Sequence, residues 1–387
     1  MPKPRVMCFA SWFLPGFRAG GPVRSLLRIC EWLQHDFEFL VVTRDRDLGS
    51  TTAYPDRNPG QWYTAGPAQV WYLAAPYWRP SHLRQVVAAA RPDLLYFHSF
   101  MDPALGVMPM LLRRLGLLVP EIPVLLAPRG EFSPGALGLK SAKKAAYLRF
   151  AGAAGVYRDV TWQATDEQEA AYIRAQWGPE ARVRIAPNLP PLAENAVGSE
   201  RLLKQRGALR LVFLSRISPM KNLSGALRAL TTVTVPTTLD IYGMIEDRDY
   251  WSACERLIQQ MPAHVRVRYR SVVQPEEVIT VLSGYDAFLL PSLGENFGHV
   301  ILEALLAGCP LLISDRTPWR DLAAQGIGFD LPLGQPARFG EAIEQFAAMD
   351  NAEFRTWSQR ARQAGLRYCH NEDLARTVRE VLITAIG

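Results

Sequence analysis

Cysteine is scarce. There are five residues, Cys8, Cys30, Cys254, Cys309 and Cys369, an odd number with no C-x-x-C spacing. That argues against a disulfide framework and a thiolate zinc site, and leaves buried, reduced thiols as the expectation. Long apolar runs are missing too. The longest, Ala104 to Leu126, is broken by Arg113, Arg114, Pro120 and Pro123, short of the ~20 residues of a membrane span. The amino terminus, Met-Pro-Lys-Pro-Arg, leads into a strand-like segment without a cleavable signal pattern, so a soluble, cytoplasmic protein is expected. Nor is there a large excess of one charge: 43 basic against 37 acidic residues give +6. No Lys/Arg run reaches the length of a nucleic-acid tail, so no nucleic-acid partner is expected; attraction to acidic substrates or anionic lipid is allowed. What is present is a globular composition, 49% hydrophobic and 21% charged over 387 residues, enough for two or three domains.

The second half alternates clearly. Apolar runs at Leu209–Leu214, Leu239–Tyr242, Val265–Tyr269, Ala287–Leu290 and Leu311–Ile313 read as strands. Between them Leu223–Leu230, Tyr250–Gln260, Glu276–Leu282 and His299–Leu306 read as helices. The first half repeats the theme, with strands at Arg5–Ala10, Phe37–Val42, Leu94–His98 and Val124–Ala127 and helices at Val23–Leu33 and Leu83–Ala90. Strand and helix in turn make parallel α/β sheets, whose ligands lie at the carboxyl ends of strands. The linker is expected between Pro187 and about Gly207. A last helix reads continuously from about Asn351 to Ile386.

Three strand-end turns carry chemistry. Pro291-Ser-Leu-Gly-Glu295-Asn296-Phe297-Gly298 follows a strand and opens a helix that is apolar nearly all round, with Glu303 as its one charge. Such a helix is buried, and its amino end suits an anionic or hydroxyl-rich ligand. The plain alternative is that Glu295 caps the helix and Glu303 meets a core arginine. Phe213-Leu-Ser215-Arg216-Ile-Ser-Pro-Met-Lys221 places two cations at a strand end, where they suit a pyrophosphate. Trp12-Phe-Leu-Pro15-Gly-Phe-Arg-Ala-Gly20-Gly21-Pro22 is a glycine turn before a helix, permitting close backbone approach.

The pattern Pro-Ser-x-x-Glu-x-Phe-Gly…Glu-Ala-x-x-x-Gly-x-Pro, with Arg216 and Lys221, resembles the signature of retaining GT-B glycosyltransferases, family 4, of the bacterial polysaccharide type. The resemblance implies an α/β fold of two facing Rossmann-like domains with a cleft between them, here 1–190 for the acceptor and 205–370 for the donor. A carboxyl-terminal helix, 371–387, would return to the first domain. It implies transfer of a hexose-type sugar from a nucleotide-diphosphate sugar to a saccharide or lipid-linked hydroxyl, without metal or other cofactor. Glu295 would bind sugar hydroxyls and Glu303 the ribose. Asn296, Phe297 and Gly298 would lie over sugar and phosphate, Arg216 and Lys221 on the diphosphate, and Gly20 and Gly21 facing it. Ser215 replaces the usual glycine of the Gly-Arg-x-x-x-x-Lys motif, and Ser271 stands at a turn where glycine is common. His98 resembles a histidine that contacts the transferred sugar, so the catalytic set is His98, Arg216, Lys221 and Glu295.

Ala127-Pro-Arg129-Gly-Glu131 resembles a Pro-Arg-Gly segment of such enzymes and offers Arg129 and Glu131 to the acceptor, or to an internal salt bridge. Lys140, Lys143, Lys144, Tyr147 and Arg149 fall on one amphipathic helix suited to anionic lipid on the inner membrane face. Asp45-Arg-Asp47 and Asp247-Arg-Asp249 match a metal-binding Asp-x-Asp, but both lie apart in sequence from the Arg216/Lys221 pair, so no metal is expected. A glycosidase is a poor fit: eight helical residues separate Glu295 from Glu303 by ~12 Å, beyond the ~5 to 9.5 Å of glycosidase carboxyls. An epimerase, a phosphorylase and a non-catalytic sugar-nucleotide-binding subunit remain as alternatives.

Overall fold

The computed structural model describes residues 2–58, 60–74, 79–138, 141–192 and 203–387. They form two units, 1–189 with 372–387, and 190–371. Lys140 and much of the linker segment 187–207 lie outside the described residues.

The first unit runs β1 (Arg5–Phe9), α1 (Gly21–Leu33), β2 (Glu38–Arg44), β3 (Trp62–Ala65), β4 (Ala68–Leu73), α2 (Pro80–Ala90) and β5 (Leu94–Phe97). It continues α3 (Met108–Arg114), β6 (Val124–Leu126), α4 (Pro134–Gly138), α5 (Ser141–Ala153), β7 (Val160–Ala164), α6 (Glu167–Trp177) and β8 (Val183–Ile185). The eight strands pair in the order β3-β4-β2-β1-β5-β6-β7-β8, parallel except for the β3–β4 hairpin. Successive β1 residues face opposite sides. Met7 and Phe9 join one apolar cluster, and Val6 and Cys8 another. With both faces covered, the strand reads as an unbroken apolar run rather than an alternating one.

The second unit runs β9 (Leu209–Leu214), α7 (Leu223–Leu230), β10 (Thr237–Tyr242), α8 (Arg248–Gln259), β11 (Val265–Tyr269), α9 (Val278–Ser283) and β12 (Ala287–Leu290). It ends with α10 (His299–Leu306), β13 (Leu311–Ser314), α11 (Leu322–Gln325), β14 (Gly328–Leu331), α12 (Pro336–Ala348) and α13 (Asn351–Cys369). The sheet order is β11-β10-β9-β12-β13-β14, with every pair parallel. Counted from the first strand this is 3-2-1-4-5-6, the dinucleotide-fold order. Omitting the hairpin strand β3, the first unit starts the same way. In each sheet the order reverses beside the first strand, between β1 and β5 or between β9 and β12.

The expected helix 351–386 is two helices. The chain breaks at His370–Asn371 and resumes as α14 (Glu372–Ile386). Neither break residue is Gly or Pro, so the apolar period reads through the interruption. Before the break, α13 lies against α10, where Gly365 permits close crossing: a Cβ there would stand 2.9 Å from the Leu306 nitrogen. After it, Val378, Val381 and Leu382 of α14 join the first unit's cluster around Leu26 and Ile29. Arg379 ion-pairs with Asp36 at 2.6 Å. All five cysteines are buried, and none is in a disulfide.

Candidate active site

In the second unit the β9 and β12 loops meet. Leu293 N donates to the Met220 carbonyl (2.8 Å), Asn222 Nδ2 to the Pro291 carbonyl (2.9 Å) and Glu295 N to the Arg316 carbonyl (3.0 Å). These bonds hold Lys221 Nζ 2.7 Å from Glu295 Oε1, a pair mostly shielded from water. Such a pair is strong only where its geometry is kept, since burial costs both charges their hydration. Arg216 Nη1 meets both oxygens of Glu246, at 2.8 and 2.9 Å, on the loop after β10. That pair is more exposed and worth ~0–1 kcal/mol, so an arriving anion competes for Arg216 readily.

Gly298 starts α10 in the left-handed conformation, φ 77°, and a Cβ there would press 2.7 Å from Ile301 Cδ1. The N-cap residue of α10, Gly298, has no side chain to cap this amino terminus. By contrast, Asn222, Asp247 and Asp350 each accept a hydrogen bond at the start of α7, α8 and α13. The Phe297 ring is buried with Trp319 and Tyr368, both at 5.4 Å between centroids, and the Phe297 carbonyl accepts from Trp319 Nε1 at 2.7 Å. Its side chain therefore anchors the loop and does not face a ligand. Asn296 is partly exposed on the same loop. Glu303 is half-buried, less enclosed than an all-apolar helix suggests, because it shares its face with the half-buried Val300. Ser271 takes φ 72° at the expected turn, and its carbonyl accepts from Gly243 N. Gly243 is obligatory: a Cβ there would overlap the Ser215 carbonyl oxygen.

In the first unit His98 lies just past β5, 4% exposed, with Nδ1 3.3 Å from Arg129 Nη2. Burial, then the Arg129 charge, pushes its pKa well below the ordinary 6.5. Arg129 and Glu131 do not pair. Arg129 reaches Tyr96, His98 and Asn188. Glu131 accepts from Ser99 Oγ (2.8 Å), Phe100 N (3.0 Å) and Met101 N (2.7 Å), and burial raises its pKa to about 7. Gly20 supplies φ 67° before α1, whereas Gly21 already lies in the helix. Asp47 holds that loop, accepting from Phe17 N at 3.0 Å and Arg18 N at 3.2 Å, and Asp45 pairs with Arg46. Asp247 is the α8 cap and Asp249 lies in its first turn. Among the described residues no three His, Cys, Asp or Glu side chains are grouped as for a metal.

Sequence reasoning missed a cluster at the first unit's switch point. Asp102 accepts from Ser11 Oγ, Ala104 N and Leu105 N, and pairs with Arg44 at 2.8 Å. The Arg44 guanidinium lies 5.0 Å from the centre of the Trp12 ring. Tyr96, Gln163, Asn188 and Glu246 were also missed. Each is a single polar residue in an apolar or loop segment, and no spacing signal marks it.

Residues 20–189 match the family Glycosyl transferase 4-like domain, and residues 199–364 match Glycosyl transferases group 1. Escherichia coli O-antigen chain mannosyltransferase B is 30% identical over 112 residues, a match spanning 27% of this chain and 28% of that protein. Anabaena HepE, solved with UDP and glucose, shares 15% identity with a TM-score of 0.70, over 98% of this chain and 100% of its own. Sucrose-phosphate synthase from Thermosynechococcus elongatus shares 15% identity with a TM-score of 0.71, over 99% of each chain. The chain thus joins a glycosyl transferase 4-like domain to a glycosyl transferases group 1 domain on the GT-B fold.

Proposed function

We propose that the protein moves a hexose-type sugar from a nucleotide-diphosphate sugar to a hydroxyl of a saccharide or lipid-linked acceptor. The transfer retains the anomeric configuration, uses no metal, and serves cell-surface polysaccharide synthesis. The observation that carries the reading is the Lys221–Glu295 pair at the second unit's switch point, on the loop that also bears Arg216. Open α/β sheets bind ligands at such reversals. Two cations and the amino end of α10 match a diphosphate, and they stabilise the charge that develops on the leaving nucleotide. Glu295 keeps Oε1 on Lys221 and offers Oε2 to a sugar hydroxyl; Glu303 takes the ribose. Asn296, Phe297 and Gly298 contribute backbone over the sugar and phosphate. Gly20 and Gly21 are assigned to the diphosphate by the resemblance, and His98 and Arg129 to the sugar and acceptor. Glu131 acts by shaping the 99–101 turn.

Retention rests on the resemblance of the Glu295…Glu303 pattern to retaining enzymes. Metal independence rests on Arg216 and Lys221 supplying positive charge, while the four Asp-x-Asp carboxylates belong to local structure. Two similar proteins, a mannosyltransferase and a protein solved with UDP and glucose, support this reading. Thermal unfolding against a panel of nucleoside diphosphates and their sugar conjugates, with and without EDTA, tests this. A midpoint raised by one nucleotide and indifferent to EDTA is expected. No rise with any of them removes the donor assignment, and a rise abolished by EDTA removes metal independence.

An anionic lipid surface on the inner membrane face is the partner proposed for the first unit. Segments 103–120 and 132–158 contain Arg113, Arg114, Lys140, Lys143, Lys144, Arg149 and Arg158, and no acidic residue. Leu115 is 69% and Phe150 55% exposed among these cations, and Arg114 Nε ties the two segments by donating to the Ala154 carbonyl at 2.9 Å. Apolar tips inside a basic field suit an anionic interface. No helix among the described residues is long and apolar enough to cross the membrane.

A further inference from the structure

The first unit holds a buried polar network whose hydrogen positions follow one bond at a time. Gln163 Nε2 donates to the Ala186 carbonyl at 3.0 Å, so its Oε1 faces Tyr96. The single Tyr96 hydroxyl proton goes to that oxygen. Toward Arg129 the Tyr96 oxygen therefore accepts, from Nη2 at 3.2 Å. Asn188 Oδ1 accepts from Ser25 Oγ at 2.8 Å and from Arg129 Nη1 at 3.2 Å. A guanidinium only donates. Its remaining contact, Nη2 to His98 Nδ1 at 3.3 Å, therefore needs an unprotonated nitrogen. The imidazole proton must then sit on Nε2. That atom is buried, and no group among the described residues meets it.

We propose that Arg129 is a positioning residue that fixes His98 as the Nε2–H tautomer, so that the imidazole meets its ligand as a hydrogen-bond donor to an oxygen and not as a base. That this oxygen belongs to a sugar rests on the function proposed above; the tautomer does not. A protonated or Nδ1–H ring would set donor against donor, and the protonated ring would add a second positive charge beside the guanidinium. The backbone is arranged to keep Arg129 there. It is a non-glycine residue at φ 54°, a conformation that costs ~1–2 kcal/mol and needs support. The next residue gives that support: Gly130 N donates to Glu169 Oε1 at 2.6 Å, while Glu169 Oε2 takes Thr165 N and Oγ1, both at 2.8 Å.

The titratable side chains of β1, β5 and α1 near this network, Cys8, Tyr96 and Cys30, are neutral. Tyr96 packs on His98 with ring centroids 4.1 Å apart, and burial pushes its hydroxyl up. Burial likewise raises the thiols of Cys8 on β1 and Cys30 on α1. The charge acting on His98 is that of Arg129, which together with burial holds the ring neutral.

Nitrogen NMR of the full chain labelled with 15N-histidine tests this, the His98→Gln variant identifying the signal among six histidines. The expected wild-type pattern is a bare Nδ1 and a protonated Nε2, unchanged from pH 5.5 to 8. A protonated Nδ1, or a titration near the ordinary histidine value, would overturn the proposal. Arg129→Met should replace the single form by a tautomer mixture and let the ring titrate, while Arg129→Lys, which keeps a cationic donor, should restore much of the wild-type pattern. A merely structural Arg129 would lower the unfolding midpoint in both variants and leave the His98 pattern alone. Since no substrate is involved, a wrong pattern would count against Arg129 without touching the transferase reading. Failure of nucleotide binding with the right pattern would do the reverse.

Discussion

At the reversal point of the six-stranded sheet the side chains meet as salt bridges, the shielded Lys221 with Glu295 and the more exposed Arg216 with Glu246. Past β5 in the eight-stranded sheet the Arg44–Asp102 ion pair has beside it a neutral imidazole, a tyrosine and two amides around one guanidinium. The strand order around both points is the same, so topology does not decide the chemistry; the residues at the strand ends do. The more exposed Arg216–Glu246 pair would rearrange at little cost for an arriving anion, whereas Lys221–Glu295 is shielded and would keep its geometry. A buried neutral network loses most when a partner is removed, which suits recognition of hydroxyls by shape and hydrogen-bond direction.

Four substitutions break or sharpen that contrast. Lys221→Met should have the largest effect, cutting kcat about 10²–10³-fold by removing charge stabilisation of the leaving group. His98→Phe, losing one neutral hydrogen bond, should cost only about tenfold. Steady-state transfer assays compare the two, and equal losses would erase the distinction. Next comes a pair of glycines. Gly243→Ala drives a Cβ into the Ser215 carbonyl, and about 3 kcal/mol of stability should be lost in denaturant titration. Gly20→Ala meets nothing within 4 Å and should cost only its left-handed strain, ~1 kcal/mol.

A subtler effect concerns Glu131. Folded, it keeps its proton to about pH 7, against an ordinary 4.5, because burial outweighs three hydrogen bonds to the carboxylate. Between those values the folded state binds more protons than the unfolded one, so this contribution is complete below pH 4.5 and is lost as pH rises through 7. The unfolding midpoint of wild type should therefore fall between pH 5 and 8 more steeply than that of Glu131→Gln. Parallel curves would cancel the assignment. The smallest effect is at the lipid surface: Leu115→Ser with Phe150→Ser should reduce cosedimentation with phosphatidylglycerol vesicles, with transfer to a soluble acceptor unchanged. Equal binding to phosphatidylcholine vesicles would discard the charge argument.

The same contrast explains what the sequence made legible. Strands Leu209–Leu214, Val265–Tyr269 and Ala287–Leu290 and helices Leu223–Leu230 and His299–Leu306 are as expected to the residue. Most are apolar runs bounded by polar turns, and Val265–Tyr269 alternates β-branched residues with arginine. Strands β3, β4, β7, β8 and β14 were not foreseen. Trp62–Ala65 and Ala68–Leu73 mix aromatics with threonine and glutamine, β7 buries Gln163 mid-strand, and β8 is three residues long. Each half of the Lys221–Glu295 pair stood out in its own motif, but their contact spans 74 positions and depends on β9 lying beside β12. Network residues such as Asn188 and Gln163 gain meaning only from neighbours that folding brings together.

The placement of α14 has a consequence for synthesis. Emergence from the ribosome proceeds at ~5–20 residues per second, and the first unit lacks Val378, Val381 and Leu382 until the second has been made in full. The half that appears first is therefore finished last. For ~9–36 s the face of Leu26 and Ile29 stays open to water, while the second unit's sheet can already close.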